Sequence, residues 1–360
     1  MKAFDQLIPL SAQLRLQNCL KKNSGWLSFE QFMAAALYDS KDGYYTTNIR
    51  EVGRTGDFST SAQPDSLLGR AIAAWARNQR KKLGSGFRWH LIEVGGGNGD
   101  LAATILNQMG FWARLGLTYH MVEISRPLRE IQIKKLRPYR VCWHESTLDA
   151  LQTAEGEALI FSNELIDAYP CRRLHYDGAN WYEIGLVLVD DHIQESTQKL
   201  SLKEVNNLHS SVSNLSEQTR PQTVEIHSAY RKDLLKIGEK LIRGCMLTID
   251  YGDYFPALYH RQPAGTLRGY FHHLRVEGAD LYTRMGHQDL TADVNFTDLE
   301  NWGVEAGFAT DRMEVQGDFI SRWIGTTAPK TTDEARVLDP MGAGTAFKVL
   351  QQSRNMCNGC

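Results

Sequence analysis

Trp89-His-Leu-Ile-Glu-Val-Gly-Gly-Gly-Asn-Gly-Asp-Leu101 is the stretch that decides the fold. Trp89 to Val94 reads as a buried strand, Gly95 to Gly99 as a glycine turn, and Asp100 opens a helix that runs through Leu106. A backbone that turns sharply and touches a ligand cannot carry side chains at its contact points, which is the use of glycine there. Without a ligand, so many glycines in one turn would sacrifice backbone entropy for no gain in packing. The stretch therefore predicts the first strand, turn and helix of an α/β sheet with a bound cofactor.

Two cofactor classes use loops of this kind. Gly97-x-Gly99-x-x-Ala102 fits the relaxed dinucleotide fingerprint, with Glu123 at a suitable distance for a ribose, and points to a nicotinamide oxidoreductase. Glu93-x-Gly95-x-Gly97-x-Gly99 sets an acid at the strand end before glycines at every second position, the spacing of S-adenosylmethionine-dependent methyltransferases. Electrostatics favours the second. A carboxylate beside the turn opposes a doubly negative pyrophosphate, whereas the ammonium and sulfonium of a methyl donor are attracted to it.

Working outward, residues 1–85 read as an N-terminal helical region with no strand strong enough to join the sheet. Ser28 to Tyr38 carries a Ser cap signature and helical apolar spacing. Gly53 to Ser61 is a polar glycine loop, equally suited to covering a ligand or to connecting two elements. Residues 86–170 form the cofactor-binding half of the core, with strands at Leu117–Val122, Tyr139–Trp143 and Ala158–Ser162. Glu93, Glu123, and Asn163 with Glu164 end three of these strands, so they mark the carboxyl edge where open α/β sheets bind ligands. Residues 171–228 read as an insertion that opens with hairpin strands around Asp177-Gly178. Residues 229–325 complete the core with a helix, a strand ending in Asp250-Tyr251, and loop-rich sequence from 254 to 293; residues 326–360 are expected to be a tail.

The bulk numbers exclude other classes. Hydrophobic residues at 42% and charged residues at 23% of 360 are those of a globular protein. A formal charge of −2 provides no overall field to gather nucleic acid or an anionic membrane. No apolar run approaches the ~20 residues of a membrane span. Six scattered cysteines and a start without a leader pattern predict a cytoplasmic protein, or a mitochondrial matrix one if eukaryotic. Cys357-x-x-Cys360 lacks a second ligand pair, and His272-His273 and His287 lack metal-ligand spacing, so no metal is expected.

Several stretches in series resemble the MidA-like class I methyltransferases, whose mitochondrial members assist assembly of respiratory complex I. They are Phe32-Met-x-x-Ala-Leu-Tyr-Asp-x-x-x-Gly-Tyr-Tyr45, Gly56-Asp-Phe-x-Thr-Ser61, the glycine stretch through Leu101, and Val122-Glu123. Asn163-Glu-x-x-Asp-Ala-x-Pro170, Ile249-Asp-Tyr-Gly252, Gly265-Thr-Leu267 and Asp289-Leu-Thr-Ala-x-Val-x-Phe296 continue the series, so it covers most of the chain. Gly95-Gly-Gly-Asn-Gly99 departs from the family's usual Gly-Pro-Gly-x-Gly, and Ala62-Gln63 from its Pro-Glu pair. The resemblance implies a Rossmann-like methyltransferase sheet, S-adenosylmethionine as donor, and methyl transfer to protein arginine.

On that reading Glu93, Gly95, Gly97 and Gly99 hold the methionine end of the donor and Glu123 accepts from the ribose hydroxyls. Asn163 fixes the adenine or the acceptor, while Asp57 and Thr60 close over the donor. An arginine acceptor stays charged in water, with a pKa above about 12, and must lose a proton during or after attack. Glu164 and Asp167, three apart and expected on one face of a helical turn, are the candidate catalytic carboxylates; the bland alternative is a helix-start pair. Asp250 and Tyr251 are supporting candidates. The partner expected is a protein substrate, with no nucleic acid and no membrane insertion, and a homodimer is allowed. A small-molecule methyltransferase and a non-catalytic assembly factor on the same fold are the rival readings.

Overall fold

A computed structural model describes residues 10–49, 67–84, 86–190, 192–213, 220–272, 274–325, 329, 331–339 and 342–356. The chain divides into two compact units. One contains residues 50–165, 232–252 and 299–360; the other contains 1–49, 166–231 and 253–298. Each is assembled from separated pieces of sequence, so the contiguous blocks expected above cut across them.

The unit that holds the glycine stretch is built on a twisted sheet. Its strands lie in the order Ala309–Val315, Phe347–Arg354, Arg243–Asp253, Glu157–Asn163, Trp89–Val94, Leu117–Val122, Val141–His144. The last five are parallel and the first two run antiparallel to their neighbours. The parallel strands are apolar along their length because helices cover both faces. On one face Trp75, Ile105 and Phe319, from the helices Leu67–Leu83, Asp100–Gln108 and Gln316–Ile324, pack on Trp89, Tyr119 and Phe161. The helix Thr147–Thr153 packs against the three strands at the Val141–His144 edge.

Two expectations need correction here. Residues 326–360 are not simply a tail, because Phe347–Arg354 is a strand inside the sheet, bonded on one side to Arg243–Asp253 and on the other to Ala309–Val315. Phe347, Val349 and Leu350 are buried there, and Gln351 accepts from the Trp75 indole at 2.9 Å. The third strand also starts later than expected, at Val141.

The other unit contains the remaining corrections. Its five-stranded antiparallel sheet includes Trp26–Ser28, a short strand within the region read as mostly helical. Ser28 then caps the helix Phe29–Tyr38 through a reciprocal pair with Gln31, as the Ser signature predicts. The hairpin Arg172–Tyr176 with Trp181–Val189 turns at Asp177-Gly178, where the Asp177 carboxylate accepts two backbone N–H groups at 2.7 Å. Residues 254–293, expected to be loop-rich, contain a three-stranded sheet of Arg268–Phe271, Leu274–Val276 and Asp289–Thr291. The segment read as an insertion supplies the other four strands of this sheet, Arg172–Tyr176, Trp181–Val189, His192–Lys199 and Gln222–Ile226.

Candidate active site

The parallel sheet reverses its direction of growth beside Trp89–Val94. The chain goes from that strand to Leu117–Val122 and Val141–His144 on one side, then crosses to Glu157–Asn163 on the other. Loops leaving the two central strands therefore diverge, and the crevice between them is where such sheets bind ligands. Strand register brings the polar residues level. Val94 is opposite Val122 and Ser162, and Ile249 is opposite Asn163, so Glu93, Glu123, Asn163 and Asp250 lie at one edge.

The glycine turn has the backbone that its composition anticipates. Gly95, Gly97 and Gly99 have φ of +75°, +52° and +78°, a region that favours glycine. A Cβ on Gly96 would lie 2.2 Å from the Met121 sulfur, and one on Gly97 would meet nothing within 4 Å. Gly96 is thus required for packing on the next strand, whereas Gly97 leaves bare backbone facing open space.

Two buried carboxylates flank this turn. Glu93 is 2% exposed and accepts from the Tyr119 hydroxyl at 2.7 Å. Burial pushes its carboxyl up to about 7, against the pull of the Tyr119 hydrogen bond, and the nearby charge of Glu123 adds to the rise. Glu123 accepts from the Ser125 N–H at 2.8 Å and the Gln132 amide at 3.1 Å. Burial dominates there as well and raises it to about 7. This pair would be relieved by a cation and worsened by a pyrophosphate.

Gln132 is the residue that sequence reasoning missed. Its amide nitrogen donates to the Gly97 carbonyl at 2.8 Å and to Glu123, while its oxygen accepts from the Trp143 indole at 3.1 Å. It ties the glycine turn, the strand-end acid and the edge strand together from a fully buried position. Its signal was present: Leu128, Gln132 and Leu136 share the buried stripe of one helix, where an amide is out of place without partners.

At the end of Glu157–Asn163, the buried Asn163 donates to the Glu164 carboxylate at 3.1 Å, while its own oxygen has no hydrogen-bond partner. A buried orphan acceptor at a ligand-binding edge suits a donor group on a ligand, such as an adenine amine. Glu164 has φ of +51°, and its N–H donates to the Ile249 carbonyl at 2.9 Å. Asp250 supports the turn by accepting from the N–H groups of Leu165 at 3.2 Å and Tyr251 at 2.8 Å.

The helical turn expected to unite Glu164 and Asp167 does not form. Residues 164–170 are bends and turns, because a left-handed Glu164 cannot start a right-handed helix. The two acids belong to different compact units. In its own unit Asp167 is buried, accepts from the Thr291 hydroxyl at 2.7 Å, and is pushed up by burial. Beside it Asp289 accepts from the Tyr45 hydroxyl at 2.7 Å; burial first, then the charge of Asp167, raises it to about 7. Asp57 and Thr60 lie outside the described residues.

The glycine cradle, the two strand-end acids and the orphan acceptor of Asn163 fit S-adenosylmethionine in this unit. Comparison with known proteins agrees. A family described as "Putative S-adenosyl-L-methionine-dependent methyltransferase" matches residues 71–313. The chain belongs to this methyltransferase family. S-adenosylmethionine is accordingly its methyl donor, and the nicotinamide reading is set aside.

Relatives of this methyltransferase include the Drosophila melanogaster protein arginine methyltransferase NDUFAF7 homolog, mitochondrial. It is 26% identical over 375 residues, covering 91% of this chain and 82% of the relative. The Homo sapiens protein arginine methyltransferase NDUFAF7, mitochondrial, is 23% identical over 319 residues, with coverage of 81% and 68%. A Burkholderia thailandensis crystal structure with bound S-adenosyl-homocysteine superposes with a TM-score of 0.83 at 24% identity, covering 97% of this chain and 93% of its own. The likeness establishes the class I methyltransferase fold. Among the described residues no helix is long and apolar enough to cross a membrane.

Proposed function

We propose that this methyltransferase acts on arginine of a protein substrate, and that Glu164 and Asp167 serve the acceptor. The observation that supports this most directly is similarity along 91% of the chain to a relative named a protein arginine methyltransferase. The chemistry of the buried acids is consistent with it.

S-adenosylmethionine supplies a methyl group made electrophilic by its sulfonium. The protein's own work is to hold, orient and exclude water. Glu93 and Gly95, Gly97 and Gly99 hold the amino-acid end of the donor, and Glu123 accepts from the ribose hydroxyls. Asn163 offers its unpartnered oxygen to an amine of the donor or of the acceptor. Glu164, half-buried beside Asn163, pairs with the guanidinium and takes the proton that its reacting nitrogen loses as the methyl group is transferred. Asp167, held by Thr291 and pushed up by burial, is the second carboxylate we assign to the acceptor. A protein surface must deliver that arginine, so the partner is a protein, and the chain acts in an aqueous compartment: the cytoplasm, or the mitochondrial matrix in a eukaryote.

The test incubates the full chain, its Glu164→Gln variant and methyl-labelled donor with a lysate, followed by amino-acid analysis. Label in methylarginine that disappears with Glu164→Gln, while S-adenosylhomocysteine still binds, is the expected result. Label confined to a small metabolite would end the arginine reading. A protein that binds partners normally without methylating them would move it to the class of assembly factors.

A further inference from the structure

The carboxyl edge of the sheet accounts for the cofactor residues. The opposite, amino edge of the same unit has features that methyl transfer does not use. Among the described residues, every large aromatic side chain that is strongly exposed lies there: Phe87 at 54%, Phe111 at 62% and Trp112 at 74%. Leu115, 53% exposed, joins them. The local backbone gathers these residues. Trp89 donates its N–H to the Gly116 carbonyl at 3.0 Å and its indole N–H to the Ala113 carbonyl at 2.9 Å. A Cβ on Gly116 would lie 1.9 Å from the Phe87 carbonyl, so these two segments touch. The Phe111 and Trp112 rings sit 5.3 Å apart, edge to face.

The two segments that carry them are charged with one sign. Residues 77–90 and 108–116 contain Arg77, Arg80, Lys81, Lys82, Arg88 and Arg114 and no Asp or Glu, a formal +6 in a chain of net −2. These cations border the apolar group. Arg80 donates to the Phe87 carbonyl at 3.3 Å, Arg77 donates to the Gln108 carbonyl, and Lys81, Lys82, Arg88 and Arg114 are exposed. Acids near this edge include Glu155 and Glu157, whose charges act on His90, but Glu157 is paired with Arg243 at 2.7 Å and the six cations outnumber them.

We infer that this edge is a docking surface for an anionic lipid bilayer, bound peripherally. Exposed Trp and Phe with an aliphatic neighbour suit the headgroup–acyl boundary, and Lys and Arg around them suit a negative leaflet. The edge-to-face ring pair does not offer the parallel stacking platform that single-stranded nucleic acid uses. A sheet has its two ends about a strand length apart, so the bilayer would be met at the end remote from the glycine turn, leaving the cofactor edge free.

Flotation of the full chain with phosphatidylcholine vesicles, with and without phosphatidylserine, tests this. Attachment is expected only with phosphatidylserine, weakening with salt, and with tryptophan emission quenched by brominated lipid. Each basic residue near such a surface strengthens attachment about fivefold, so Lys81→Glu/Lys82→Glu/Arg88→Glu should weaken it at least a hundredfold. Phe111→Ser/Trp112→Ser, and Trp112→Ser alone, should lose both the attachment and the lipid quenching, with S-adenosylhomocysteine binding retained as the check on folding. Attachment that survives these variants overturns the proposal. So does failure to attach, preference for single-stranded RNA over the vesicles, or burial of Trp112 in a dimer of the chain in solution. None of these outcomes depends on which acceptor is methylated.

Discussion

Gln132→Leu removes three hydrogen bonds while keeping volume close to that of the amide. It takes partners from the Gly97 carbonyl at 2.8 Å, the Glu123 carboxylate at 3.1 Å and the Trp143 indole at 3.1 Å. A buried polar group left without a partner costs about 1–3 kcal/mol, and since Gly97 and Trp143 are only half-buried the low end applies, about 3 kcal/mol in all. The Trp143 bond joins a helix to an edge strand, so its share, about 1 kcal/mol, is expected as lost stability. The other two hold the glycine turn and Glu123, the proposed ribose acceptor, so about 2 kcal/mol is expected as a roughly thirtyfold weaker Kd for S-adenosylhomocysteine by calorimetry. Gln132→Glu adds a signature that packing cannot mimic. Relative to wild type at the same pH, a second carboxylate beside Glu123 should impair binding more than leucine does above pH ~7 and approach the wild-type value below it, as the pair shares a proton. If Gln132→Leu binds the ligand within about threefold of the wild type and only melts earlier, Gln132 is packing and the reasoning fails.

Three further outcomes are expected. Because Glu93 and Glu123 must be ionised to receive the donor but sit at about 7 in the free protein, donor affinity should climb with pH through neutrality; each contributes up to about tenfold per pH unit below that. With both pKa values raised, their contribution to the stability of the free protein is present below the usual carboxylate range and is lost as pH rises through about 7; titration calorimetry across that range checks the first and melting curves the second. Gly96→Ala, meeting the Met121 sulfur at 2.2 Å, should cost about 1–3 kcal/mol of stability. Gly97→Ala should cost only about 1 kcal/mol for its backbone and yet weaken donor binding; the reverse order in melting and binding assays would contradict the site geometry. His90, His120 and His144 hydrogen-bond in a chain at 2.9 Å across three strands, and burial, aided by its two neighbours, holds the central His120 down to about 3. Its stabilising contribution is therefore complete above about pH 6.5 and drains away as pH falls towards about 3. Urea unfolding should show a wild-type loss of roughly 2 kcal/mol between pH ~6.5 and ~5 that His120→Leu largely lacks; equal losses would refute it.

What could be read from the chain alone was what near neighbours determine. The apolar run, the glycines and the helix opening at Asp100 lie within a dozen residues, and φ and ψ limits convert such a run into a strand, turn and helix. Glu93, Glu123 and Asn163 were legible as a set because each ends its own strand, and parallel register brings such ends level. The expected Glu164–Asp167 face failed for the complementary reason. Three residues of spacing imply a shared face only if the backbone is helical, and the N–H of Glu164 is taken by Ile249, 85 positions away. Phe347–Arg354 looked like a tail since its partners are separated from it by about a hundred residues or by three intervening helices, and no local period reveals a pairing at that range. Gln132 carried a visible oddity, an amide on an apolar stripe, but its meaning depends on Gly97 and Trp143 arriving from two other elements. Local sequence therefore chose the glycine turn and the strand-end acids beside it, through steric limits on neighbouring residues. Tertiary structure alone decided which distant groups those acids meet, because contacts closed over long loops are selected by the burial of whole faces and leave no local pattern.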